Sequence, residues 1–219
     1  MPRLLFEKKG NAVWISHLDL MRMFQRAFNR AKLPLTHTQG FNPRPSVSIA
    51  LPLSVGIESG CELLDFHLDG DAVSNEEIKA RLNSALVEGV KVLKVYNEGQ
   101  KIKNLAYLDC ELSLEYDRGV PSGAAEAIRE LFGRETLLVS KKSKNGTAEQ
   151  NIIPMLRSLS VMQADAHRLT INARVCCQNP SLNPMQLCAA MEEYLPEFAA
   201  DFAQCSRIEI YDYQEQIFR

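Results

Sequence analysis

The stretch WISHLDLMRMFQRAFNRAKLPLTHTQGFNPRPSVSIALP, residues 14–52, joins a capped helix to a stiff cationic loop, and the rest of the chain is read outward from it. Ser16 is a good N-cap, because its hydroxyl can accept from the free N–H groups of a first helical turn. Asp19, three residues on, completes a capping box. Leu20, Phe24, Ala27 and Ala31, with Met21 and Phe28, recur at helical spacing and mark a buried side. Arg22, Arg26 and Arg30 are four apart and share another side, and Pro34 stops the helix. In TQGFNPRP, Gly40 can take a left-handed conformation while Pro43 and Pro45 fix φ on either side of Arg44. Such a loop loses little entropy on ordering, which suits it to presenting Gln39, Phe41, Asn42 and Arg44.

Upstream, Arg3 to Lys9 reads as a strand and Ala12 to Ile15 as extended chain. Downstream come strands over Ser46–Leu51 and Glu62–Asp69, a helix capped by Ser74 and running to about Val87, and a strand over Val90–Tyr96. This β-α-β-β-α-β order predicts a ferredoxin-like unit over residues 1–98. After a polar linker, Asn97 to Asn104, the pattern repeats. Strands are expected at Ala106–Tyr116, Glu135–Lys142, Leu169–Cys176 and Ser206–Tyr213, and helices at Pro121–Phe132 and Pro184–Tyr194, with Asn183 as N-cap. The expected fold class is therefore α+β, two tandem ferredoxin-like (βαββαβ) units. The second unit spans 105–219 and carries an insertion around 143–166.

Composition narrows the classes of function. The 46% apolar content supports a full core, and no apolar run approaches the length of a membrane span. MPRLLFEKKGN is too charged for a signal peptide, so a cytoplasmic protein with no membrane contact is expected. None of the six cysteines forms a C-x-x-C pair or has a histidine at zinc-finger spacing, so reduced, buried thiols and no metal site are expected. Net charge is −2, but Arg3, Lys8, Lys9, Arg22, Arg26, Arg30, Lys32 and Arg44 face only Glu7, Asp19 and Glu58 within residues 1–60. That segment is +5 and the remainder −7, a focused basic region on an acidic body. No phosphate-binding loop, dinucleotide fingerprint, G-x-S-x-G or H-E-x-x-H is present.

With these landmarks placed, the runs SHLDLMRMFQRAFNRAKLPL, QGFNPRPSVSIALPLSVGIES and ELLDFHL resemble the radical-SAM-linked protein family, a group of bacterial domains of uncharacterised function. KKSKNG, IIPMLRSLSV and CCQNPSLNPMQLCAAM in the second half resemble it too, so the likeness covers nearly the whole chain. The resemblance implies a radical SAM protein as partner and a setting among ribosome and RNA-processing factors. The chain lacks the three-cysteine cluster motif of radical SAM enzymes, and no cofactor is expected. Arg44 stands where the resemblance leads one to expect histidine.

Three readings follow. In the first, the chain is an accessory RNA- or partner-binding domain acting with a radical SAM protein in RNA modification or ribosome and RNA processing. Arg22, Arg26 and Arg30 would then track phosphates, extended by Arg44, Lys32 and Arg3. Gln39, Phe41 and Asn42 would meet an unpaired base of a tRNA or rRNA. In the second, it is a metal-independent endoribonuclease with His17 as base, by fold analogy with CRISPR repeat-processing nucleases. His17 and Asp19, two apart on a helix, diverge by about 200° and form no direct dyad. In the third, it is a protein-interaction adaptor docking through Phe41. His67 reads as a strand-face residue, and Lys141, Lys142 and Lys144 as a solvated hairpin tip.

Overall fold

The RLLFEK run of the first strand places Leu4 and Phe6 on the helix-covered face of a sheet, in one core cluster with Leu20, Phe24 and Phe28 of the following helix. The computed structural model describes residues 1–70, 72–143 and 146–219. Its contacts divide into two units, Met1–Asn104 with Phe218–Arg219, and Leu105–Ile217. Each is α+β, with four α-helices in all among the described residues.

The first unit contains β1 (Arg3–Lys8), α1 (His17–Arg30), β2 (Val47–Ile49), β3 (Glu58–Phe66), α2 (Asn75–Ala85) and β4 (Val90–Tyr96). Its sheet runs β4-β1-β3-β2, all neighbours antiparallel. Ala12–Ile15, expected extended, lies mostly in a 3-10 turn over Gly10–Trp14. A four-residue apolar run carries no period that separates the two. Lys8 is buried beneath this turn, its ammonium donating to the carbonyls of Val13 (3.1 Å) and Ile15 (2.9 Å).

Ser16 caps α1 as expected, its hydroxyl accepting from the Asp19 N–H at 3.2 Å. The box is not reciprocal, because the Asp19 carboxylate accepts from the Ser16 hydroxyl (2.7 Å) rather than from its backbone. The far end of α1 stops before Pro34. Lys32 adopts φ +54°, its N–H reaches Asn29 O, and Leu33 N–H reaches Phe28 O. That pair of bonds is a Schellman ending, sealed by buried Phe28 and Leu33. Phe24 meets Phe6 edge-on at 4.8 Å and Phe28 meets Phe66 at 5.3 Å, which locks α1 to the sheet.

β4 ends the first unit's sheet, and Asn83 of α2 closes its open side. The Asn83 amide donates to Val92 O (3.0 Å) and accepts from Val92 N–H (2.8 Å), standing in for a neighbouring strand. Asn83→Ala leaves both groups of a buried residue unpaired and is expected to lower stability by about 1–3 kcal/mol. A urea midpoint equal to that of the parent would contradict this.

The second unit contains β5 (Leu105–Glu115), α3 (Ala124–Phe132), β6 (Leu138–Ser143), β7 (Gly146–Asn151), β8 (Leu156–Asp165), β9 (Arg168–Cys176), α4 (Met185–Tyr194) and β10 (Phe202–Asp212). Its sheet runs β10-β5-β9-β8, again antiparallel. The expected sheet strand Glu135–Lys142 is instead half of a separate β6-β7 hairpin. The sheet position is taken by β8, from the segment read as insertion. The register of β8 slips at both ends, between Leu156 and Ser158 and between Gln163 and Asp165, which breaks the period-2 pattern that marks a strand. Asn183 accepts from Met185 N–H at the start of α4 (3.1 Å). No helix among the described residues is long and apolar enough to cross a membrane.

Candidate functional site

Thr36 to Ser46 forms a closed loop. Ser46 N–H donates to Thr36 O (2.7 Å), Thr38 N–H to Arg44 O (2.8 Å), and Arg44 N–H to the Thr38 hydroxyl (3.0 Å). His67, just past β3, holds both legs: its carbonyl accepts from Thr36 N–H and its own N–H donates to Ser46 O. This anchoring role was invisible in the sequence, because it uses backbone groups alone. His67 itself is exposed. Gly40 sits at φ +134°, a conformation that a side chain would strain.

The tip carries Gln39, Phe41, Asn42 and Arg44, all exposed. Phe41 is fully exposed. A phenyl ring left in water forgoes about 1.5–3 kcal/mol that burial would contribute. Trp14, also largely exposed and resting on Gly56, is a second surface aromatic that the sequence reading did not single out.

The basic stripe is only partly free. Arg22 pairs with Asp19 at 3.1 Å, and the hydrogen bonds from Ser16 and then Arg22 lower the Asp19 carboxyl below its ordinary range. Arg30 donates to Ala85 O at the end of α2 (2.5 Å). Arg26 is exposed and makes no hydrogen bond or ion pair with a described residue. Arg3 does not extend the stripe: it is buried, paired to Asp65 at 2.5 and 3.0 Å and lying 5.3 Å from the Phe218 ring centroid. An open cleft of about 470 Å³ is lined by Arg30, Lys32 and Arg81. It lies where α1 and α2 both end, so these cations answer the negative ends of two helix dipoles. That accounts for the cluster without an anion.

His17 opens α1, half-buried, its Nδ1 enclosed and without a hydrogen-bond partner. Asp19 is committed to Ser16 and Arg22. No group of three or more His, Cys, Asp or Glu among the described residues is arranged to hold a metal. All six cysteines are free thiols, and burial raises Cys110 and Cys177 to about 12 and Cys188 to about 11. Such thiols are poor nucleophiles near neutral pH. Lys144 of the expected lysine tip lies outside the described residues, as do the side chains of Lys141 and Lys142.

Residues 2–184 match the family described as "Uncharacterized protein conserved in bacteria (DUF2344)". The chain belongs to the DUF2344 family. No curated protein matches this DUF2344 chain. Among solved structures it is similar to a chain of a Cbf5-Nop10-Gar1 complex, with a TM-score of 0.53 at 8% identity over 95% of its own length and 48% of the other's. The DUF2344 chain thus spans about half of that relative, and the likeness concerns the α+β fold alone. A second match, an unknown protein from Galdieria sulphuraria, has 12% identity over 94% and 96% of the two chains. Its TM-score is 0.27.

Proposed function

We propose that the chain is a non-catalytic RNA-binding module, built of two ferredoxin-like units, that acts beside a radical SAM protein in RNA modification or ribosome and RNA processing. The observation that carries this reading is the fully exposed Phe41 at the tip of a hydrogen-bonded loop. An aromatic face held in water by a closed loop offers a stacking platform for an unpaired base, worth about 1–3 kcal/mol. Gln39 and Asn42 beside it carry amide donors and acceptors for a base edge. Arg44, with Arg26 on the helix that leads into the loop, supplies phosphate contacts. The radical SAM partner rests on the sequence resemblance.

Fluorescence anisotropy with a labelled single-stranded RNA tests the reading. Phe41→Ala is expected to weaken binding by roughly 5- to 150-fold, the range that matches one lost stacking contact. Its thermal midpoint should not move, since the ring packs on nothing. Arg44→Ala should weaken binding and reduce the salt slope by about 1. Absence of affinity at low salt, or full affinity in both variants, would overturn the proposal.

A further inference from the structure

A second feature lies wholly within the sheet of the second unit. Along β5 and β9, buried and half-buried residues alternate, so one face meets the helices and the other is polar. On that polar face the register sets Asp109 beside Arg174, Arg174 beside Ser158, and Asn172 beside Ser160. These residues line a concavity of about 270 Å³. Ile208, the extra residue where β10 slips between Arg207 and Glu209, supplies an exposed apolar wall.

The polar groups of this concavity divide into two sets. Arg174 is immobilised: two bonds to Asp109 (2.7 and 2.9 Å), one to Glu215 (3.0 Å), and the Tyr211 ring centroid 4.0 Å from its guanidinium carbon. Ser158, Ser160 and Asn172 are neutral and make no side-chain hydrogen bond to a described residue. A rigid charged pair thus flanks three uncommitted neutral donor–acceptor groups beside an apolar wall. The Asn172 amide can pair two-pronged with an adjacent N–H and acceptor on a planar ring, as asparagine does with adenine.

Charge selects among such rings. Around this concavity, Asp109, Glu111, Glu209 and Glu215 outnumber Arg157 and Arg174. A phosphate here would meet net repulsion, whereas a neutral heterocycle would not. The volume lies just below the roughly 300–1,000 Å³ of drug-sized ligand pockets, which suits a single small ring system.

We infer that this concavity is a nucleobase site, reading the hydrogen-bonding edge of an uncharged base through Asn172, Ser158 and Ser160. The inference is independent of the Phe41 loop. The same edge can come from a free nucleoside or from an unpaired base in a strand.

Titration of the ¹⁵N-labelled full chain with adenosine, guanosine, cytidine and uridine tests it, followed by their 5′-monophosphates and a short single-stranded RNA. At least one nucleoside is expected to shift the amides of residues 158–160 and 172–174. The matching monophosphate should bind several-fold more weakly. Asn172→Ala should weaken the nucleoside roughly tenfold, the scale of one hydrogen-bonded edge. Ser160→Ala, on an exposed site, provides a second variant whose fold is secure. Shifts with the RNA but no free nucleoside would assign the site to strand bases, and shifts with nucleosides alone to a free ligand. No shift at these residues with any probe, tighter binding of the monophosphate, or unchanged binding in both variants would overturn the inference. None of these readouts depends on Phe41, so failure here and failure of the loop reading are told apart.

Discussion

Replacing Asp65 by alanine is expected to destabilise the first unit by about 3–5 kcal/mol, the cost of stranding one partner of a buried ion pair. Arg3 is 2% exposed and its guanidinium makes two bonds to the Asp65 carboxylate. Arg3 and Asp65 are paired across β1 and β3, and the Phe218 ring lies against the guanidinium, so little solvent reaches the pair. By contrast, losing the exposed Arg22–Asp19 pair should cost at most about 1 kcal/mol, because solvent already screens it. Urea unfolding of Asp65→Ala and Arg22→Ala compares the two. Equal, small effects would show that the Arg3–Asp65 pair is hydrated and that its burial is not what holds the strands.

Raising the pH from 8 to 10 under reducing conditions should remove several kcal/mol of stability, on the order of 1 for each buried thiol. Burial raises the thiols of Cys110 and Cys177 to about 12 and Cys188 to about 11, and pushes Cys205 up as well, from an ordinary value of 9.0. A folded value above the unfolded one means that the native chain holds its proton while the unfolded chain releases it. The stability from these groups is therefore complete below about pH 9 and is lost as pH rises towards 11–12. At one unit above the unfolded value each thiol costs on the order of 1 kcal/mol, and four such thiols together give several. The buried Tyr116 and the half-buried Tyr211, also raised by burial, act in the same direction. Lys8 opposes them: its value is lowered by burial, so it favours the native state as pH climbs towards 10.5. One amine does not outweigh four thiols. Urea midpoints at the two pH values decide the matter, and Cys188→Ala should shed roughly a quarter of the difference. A midpoint that holds or rises at pH 10 would refute this account of the core.

The local grammar of the chain was plain from residue order. The apolar spacing of Leu20, Phe24, Ala27 and Phe28 marked the buried side of α1, Ser16 and Ser74 marked helix starts, and the alternation in LAYLDCELSLE marked β5. These signals arise within a turn or two of chain, from backbone geometry and short side chains. The loop at Gly40 was legible for the same reason. Its complete exposure of Phe41 was not, since an aromatic residue is ordinarily drawn inward.

What only the tertiary structure decided concerns partners far apart in sequence. Arg3 counted as one more cation of a basic segment until the fold brought Asp65, 62 residues away, against it. Arg30 left the stripe because α2 ends beside it, 55 residues on. β8, not the Glu135–Lys142 segment, joined the sheet of the second unit, because strand choice is settled by which neighbour offers backbone bonds and a buried face. So residue order marked all four α-helices, most of the strands, and which of their sides are apolar. Pairing across long separations determined which charges stay free to meet a ligand, because a charge is neutralised by whatever the fold places within a few ångströms of it.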